Sequence, residues 1–270
     1  MSILEAIVLG IVQGLTEFLP ISSTAHLRIV PSLLGWAKPS PAFEAVVQCG
    51  TLAALVAVMW RDIHAIALGF LSAACRGRPL ATPESRAGLF IVVGTLPIVV
   101  AGLAGKDWIK GPLRSLESIA AALALATVAM IVAEWLAWRR SRAGASLRGG
   151  LESLRLTDGL VVGCAQALAL IPGTSRSGIT ISAGMVRRLD RRTAARFSFL
   201  LSLPAIAAAA VLELVEEWRD VLGTPQARAA LVWGTLAAAV TGYAAIRLRL
   251  RRTETPNEAI RFSLSDYLVR

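Results

Sequence analysis

Two polar stretches, each broken by a proline, lie inside a chain otherwise made of apolar runs near membrane-spanning length. Residues 13–26 read Gln-Gly-Leu-Thr-Glu-Phe-Leu-Pro-Ile-Ser-Ser-Thr-Ala-His and hold an amide (Gln13), a carboxylate (Glu17), three adjacent hydroxyls (Ser22, Ser23, Thr24) and an imidazole (His26). Residues 166–180 read Gln-Ala-Leu-Ala-Leu-Ile-Pro-Gly-Thr-Ser-Arg-Ser-Gly-Ile-Thr and repeat the order of amide, apolar run, proline and hydroxyls, with a cation (Arg176) in place of the acid. Ionisable groups at membrane depth are costly and mark functional positions. The pair therefore predicts a two-part site, one part from each half of the chain.

The remainder is consistent only with an all-α integral membrane protein. Of 270 residues, 55% are hydrophobic and the mean hydropathy is +0.63, while about 20 apolar residues suffice to span a bilayer. The beginning has no basic segment and runs straight into the polar motif, unlike a cleaved signal peptide. The net charge of +10 would raise nucleic acid as a partner for a soluble protein. Here the cations flank apolar runs, as membrane topology requires, and no nucleic-acid partner is expected. Cys49, Cys75 and Cys164 lack metal-ligand spacing and read as small apolar fillers.

In chain order, residues 3–35 and 158–186 read as helix–break–helix segments, at Pro20 and at Pro172-Gly173. Each is expected to enter and leave on one side, because irregular backbone at membrane depth survives only under cover of protein or around a cavity. Five spans are expected at 42–60, 88–104, 117–138, 195–215 and 229–246. Residues 62–87 and 105–116 read as loops, and 141–157 as a Gly/Ser/Arg-rich linker. A first repeat of about 1–140 is followed by a second of about 158–252 and a polar tail, 253–270, too short and charged to cross again. Trp60, Trp108, Trp135, Trp138 and Trp218 read as interface anchors. With both broken segments re-entrant, 20 Lys/Arg fall on one side and 6 on the other, Arg28 and Arg176 lying inside the segments. The positive-inside rule makes the rich side cytoplasmic. The two broken segments then enter from opposite faces, which is an inverted-topology repeat with its site near the midplane.

The residues allow a limited chemistry. Arg176 offers a fork of donors suited to phosphate, with Thr174, Ser175, Ser177 and Thr180 as further donors at a helix start; the ordinary alternative is a Pro-Gly turn with a capping Ser and a snorkelling Arg. Gln13 and Glu17 share a helical face and would serve a divalent cation or a general base, or simply pack as a satisfied polar pair. His26 follows Ser22 and Ser23 at helical spacing, so that a hydroxyl activated by imidazole, His26 itself as acceptor, or a plain capping Ser all stay open. Glu44 and Gln48 share a face of the first full span and point to the same site. His64, in an expected loop, is assigned no role. An acid, an imidazole, an arginine and many hydroxyls suit phosphoryl transfer, and a membrane setting suits a lipid-linked phosphate.

The two motifs resemble the signatures of bacterial undecaprenyl-diphosphate phosphatases of the bacitracin-resistance type, over roughly residues 1–250. The resemblance implies hydrolysis of undecaprenyl diphosphate to undecaprenyl phosphate and phosphate at the outer face of the inner membrane, with a divalent cation, magnesium or calcium. It implies recycling of the lipid carrier for cell-wall synthesis, resistance to bacitracin, and leaves room for a homodimer. It makes Glu17 the metal-assisting or basic residue, and Ser23, Thr24 and His26 the cluster that supplies a Ser or His nucleophile. Arg176, with Ser175, Ser177 and Thr180, becomes the phosphate grip. Three departures stand out: Gln13 where many members have Glu, Ala25 where Gly is usual, and a tail without the family's final apolar span. The alternative reading is a polyprenyl-phosphate flippase, since broken helices in inverted repeats also build transporters.

Overall fold

The structure is a computed structural model that describes residues 1–222 and 224–252. Ten helices make up nearly all of it: α1 Ile3–Glu17, α2 Ser23–Leu34, α3 Pro41–Cys75, α4 Pro83–Ala104, α5 Lys106–Lys110, α6 Leu116–Arg142, α7 Leu156–Leu168, α8 Arg176–Val186, α9 Arg191–Leu222 and α10 Pro225–Arg252. Stretches of α3, α4, α6, α9 and α10 are each long and apolar enough to cross a membrane. These are the five expected spans. Their outward faces carry large apolar side chains such as Leu96, Leu103, Leu125, Val128 and Val240. A soluble protein does not present such a surface, whereas lipid covers it without cost.

Each broken segment is two helices joined by a short break, and its arms pack on each other. α1 opens on a capping box, Ser2 with Glu5. It stops at Glu17 because Pro20 lies three residues on and cannot continue the ladder. α2 restarts with the Ser22 hydroxyl accepting from the Ala25 N–H. Ser22 takes a left-handed φ of 63°, an uncommon state for a residue with a side chain and one that clusters at functional positions. Ala25 is helical and buried, so the position where Gly is usual needs no positive φ. In the second segment Gly173 has φ 98°, and a Cβ there would lie 2.4 Å from the Ile119 carbonyl oxygen. Only glycine fits that turn against α6.

The long-range packing is reciprocal. α1 lies chiefly along α10, while α7 lies along α4. Both contacts close through glycine: a Cβ on Gly10 would sit 2.2 Å from the Gly234 carbonyl oxygen, and one on Gly163 would sit 2.2 Å from that of Gly94. Gly10 and Gly163 stand three residues before Gln13 and Gln166. Small residues that let backbones touch are the usual adhesive between membrane helices, where the hydrophobic effect contributes little. α3 and α9 pack against each other. A core of Leu55, Phe197, Leu200, Leu201 and Ile246 forms around them, with the Phe18 and Phe199 rings edge-on at 5.6 Å.

Two expected loops are partly helical. α3 does not end at Trp60 but kinks at Met59 and runs on to Cys75, because Ile66 and Ala73 are buried there and Asp62 pairs with Arg196. His64 is therefore helical, and its ring lies 5.7 Å from that of Trp60. Residues 105–116 contain the short α5 and a 3-10 turn, Pro112–Arg114. The three cysteines are free. Trp60, Trp108, Trp135 and Trp138 are exposed, with Arg139 and Arg142 stacked on Trp135 and Trp138, the arrangement of an interfacial girdle. The tail 253–270 and the side chain of Trp218 lie outside the described residues.

Candidate active site

The breaks of the two segments meet, and the meeting point is Glu17. It is the last residue of α1 and is buried, and its carboxylate accepts from four donors. Oε2 accepts from Gln13 Nε2 at 2.9 Å and from the Ser23 hydroxyl at 2.7 Å. Oε1 accepts from Gln48 Nε2 at 3.1 Å and from Arg176 Nη2, in an ion pair that joins residues from opposite halves of the chain. A buried carboxylate is tolerable only under such saturation. The Ser177 hydroxyl adds a second link between the halves, donating to the Leu19 carbonyl at 3.0 Å.

Arg176 is the first residue of α8. Its guanidinium thus stands where the helix presents unpaired N–H groups and the positive end of its dipole, a combination that favours an anion. Ser175 caps the helix, accepting from the Gly178 N–H at 3.2 Å, and the Thr180 hydroxyl donates back to the Arg176 carbonyl at 2.7 Å. Ser177 and Thr180 are buried, while Thr174 and Thr24 are half-buried, beside the breaks.

His26 is brought near but not into this cluster. Its Nδ1 lies 2.9 Å from the Ser22 carbonyl. A carbonyl only accepts, so Nδ1 donates and Nε2 is the ring nitrogen left for other partners. Of the arrangements that the spacing leaves open, a Ser–His hydrogen bond is not made among the described residues: the Ser23 hydroxyl donates to Glu17 instead. On α3, Gln48 reaches Glu17, while Glu44, one turn away, forms an ion pair with Arg28 at 3.9 Å. Gln166, the counterpart of Gln13, is fully buried and its amide has no partner among the described residues; no carboxylate follows it at the spacing of Glu17.

Sequence reading missed α9. Behind the Glu17–Arg176 pair a cavity of about 10 Å³ is lined by Phe18, Ser198, Phe199 and Ser202 as well as Ser177 and Thr180. That is room for about one water, and the buried Ser198 hydroxyl has no partner among the described residues. The only signal was Ser198 and Ser202, four apart in an apolar span.

Fold and site together define a multi-pass helical membrane protein whose two broken segments hold one acid, one arginine and a cluster of hydroxyls. The chain matches the family described as "Bacitracin resistance protein BacA" over residues 6–262 and belongs to that family. Among its relatives is a protein named undecaprenyl-diphosphatase from Chlorobaculum tepidum, 48% identical over 251 residues, which are 93% of this chain and 88% of the relative. Another of the same name, from Chlorobium phaeobacteroides, is 49% identical over 246 residues, 91% of this chain and 87% of the relative.

Proposed function

We propose that this chain hydrolyses undecaprenyl diphosphate to undecaprenyl phosphate and inorganic phosphate, and that Ser23 is the nucleophile. The observation that carries this is one carboxylate shared by a hydroxyl and a guanidinium from opposite halves of the chain. The Ser23 Oγ attacks the terminal phosphorus as its proton passes to Glu17 Oε2. The bond to the bridging oxygen breaks, and undecaprenyl phosphate leaves with the proton from Glu17. Water then attacks the phosphoserine phosphorus and gives a proton to Glu17, which passes it to the Ser23 Oγ as that P–O bond breaks and phosphate is released. Arg176 and the N–H groups of α8 take up the charge on the transferring phosphoryl group, the main form of catalysis in this chemistry. The space at the pair is too small for a diphosphate, so substrate draws Arg176 off Glu17 and replaces one anion by another.

Magnesium or calcium is part of the same proposal. Among the described residues no three His, Cys, Asp or Glu side chains converge. One carboxylate plus substrate phosphates is nonetheless an ordinary magnesium site, and Glu17, with amide oxygen from Gln13 or Gln48, fits it. When bound, the ion would neutralise diphosphate charge.

The assay is phosphate release from a polyprenyl diphosphate in detergent. Ser23→Ala is expected to lower it by about 10³-fold or more and His26→Ala by about 10²-fold, with chelator abolishing it and magnesium restoring it. A larger loss for His26→Ala would transfer the nucleophile to the imidazole.

Two re-entrant segments in an inverted repeat, with the site open to the periplasm, complete the proposal. The reciprocal α1–α10 and α7–α4 packing, closed each time by glycine, supports it, as does the distribution of Lys and Arg. Fluorescent-protein fusions after residue 146 are expected to glow in the cytoplasm, and alkaline-phosphatase fusions there to be inactive. The opposite pattern would invert the orientation.

A further inference from the structure

A second cavity lies far from Glu17, at the open end of the second segment. It measures about 400 Å³ and is lined by Ser146, Arg148, Arg155, Val186, Arg187 and Arg188. α8 starts at Arg176 and Arg187 caps its far end, so at 1.5 Å per residue the cavity is about 15 Å from the candidate active site.

Four guanidinium groups share this space with one buried carboxylate, Asp158. That carboxylate is saturated: Arg148 grips both its oxygens at 2.7 and 3.0 Å, Arg187 Nε donates at 2.9 Å and the Arg155 N–H at 2.9 Å. Arg148 and Arg187 are thereby held in place. The guanidinium groups of Arg155 and Arg188 have no ion pair or hydrogen bond among the described residues. The cavity keeps a net excess of about three positive charges, at ordinary ligand-site size. Carbonyls at the end of α8, which would repel an anion, are already occupied: Arg140 takes those of Met185 and Val186, and Arg148 that of Arg187. Arg188 is also held at a left-handed φ of 66°, a strained state for a long side chain.

We infer that this cavity is a second anion site, which takes the phosphate group of an anionic molecule through Arg155 and Arg188, with Arg148 and Arg187 as its fixed wall. Its level in the membrane points to a lipid headgroup as the source. Arg140 ties it to the end of α6, where Trp135 and Trp138 mark the interface, and basic pockets between helices at that level are suited to headgroup phosphates.

The test is native mass spectrometry of the full chain in detergent with dihexanoyl-phosphatidylglycerol, dihexanoyl-phosphatidylcholine or inorganic phosphate. Wild type is expected to retain one phosphatidylglycerol in preference to phosphatidylcholine. R155Q/R188G should weaken that retention by at least tenfold, since each surface cation contributes about a fivefold factor. R188G alone separates binding from folding: glycine suits the left-handed φ, so thermal stability should hold or rise while retention falls. Competition by millimolar inorganic phosphate would assign the site to free phosphate, and its absence to the headgroup. Equal retention of phosphatidylglycerol by wild type and R155Q/R188G would overturn the inference. Phosphate release from the diphosphate substrate should stay within twofold in both variants, so a failure here is distinct from a failure of the active-site reading.

Discussion

Arg176→Ala is expected to abolish phosphate release, lowering it by about 10³-fold or more. Arg176 is the cation that both breaks converge on: it starts α8, pairs with Glu17 and lines the same small cavity as Ser177 and Thr180. Phosphoryl transfer depends on charge neutralisation at the transferring group, and a guanidinium fork matches phosphate oxygens where an ammonium does not. Arg176→Lys should therefore keep the ion pair to Glu17 yet recover no more than about a tenth of the activity. The alanine variant also strands Glu17 with amide and hydroxyl donors alone, and breaking a buried pair destabilises by about 3–5 kcal/mol. Protein that elutes as one species from size exclusion must be assayed, and E17Q/R176A supplies the control. That double variant should regain thermal stability without regaining activity. Folded Arg176→Ala protein with more than a tenth of wild-type release would refute the assignment.

How much of this was visible beforehand depends on whether the determinant is local. Pro20 and Pro172-Gly173, each followed by hydroxyls, mark their breaks in the sequence itself, and helical spacing alone places Gln13 against Glu17. The five spans follow from apolar length. The end of α3 did not, because Asp62 and His64 look like loop residues until Arg196, 134 residues on, is seen to neutralise Asp62. Helical spacing offers Ser23 to His26, among other roles, because both lie on one helix. In the structure the chain reverses at the break, so the end of α1 faces the start of α2 and Glu17 reaches the hydroxyl first. Ser198 and Ser202 carry little signal of their own, because serine in an apolar helix usually bonds back to its own backbone, as Ser202 does to the Phe199 carbonyl. Gly10 and Gly163 carried a signal, their equal spacing from Gln13 and Gln166, that becomes meaningful only once the facing carbonyls are in view.

Asp158→Ala is expected to cost the fold rather than the chemistry. Asp158 is completely buried, and the two arginines it binds come from the linker and from the end of α8. Arg148 also donates to the Ser153 carbonyl, and its backbone pairs with that of Arg188 and Asp190. One carboxylate thus fastens the linker, the start of α7 and the end of α8, and so fixes the hairpin that presents Arg176. Alanine would leave Arg148 and Arg187, with side chains only 19% and 34% exposed, facing each other without a counter-charge. The cost is about 3–5 kcal/mol, and the melting temperature in detergent should fall by on the order of 10 °C. Asp158→Asn, which keeps one acceptor and the shape, should fall by less. R148A/D158A should recover part of the loss, because the surviving Arg187 is the more exposed of the two cations; strict additivity of the two single effects would mean that the arginine and the acid do not act together. Activity per folded molecule should change little, since Asp158 touches no group of the active site. A melting temperature within about 2 °C of wild type would mean that hydration of the arginines replaces the carboxylate, and that the hairpin is held instead by the glycine contact of α7 with α4.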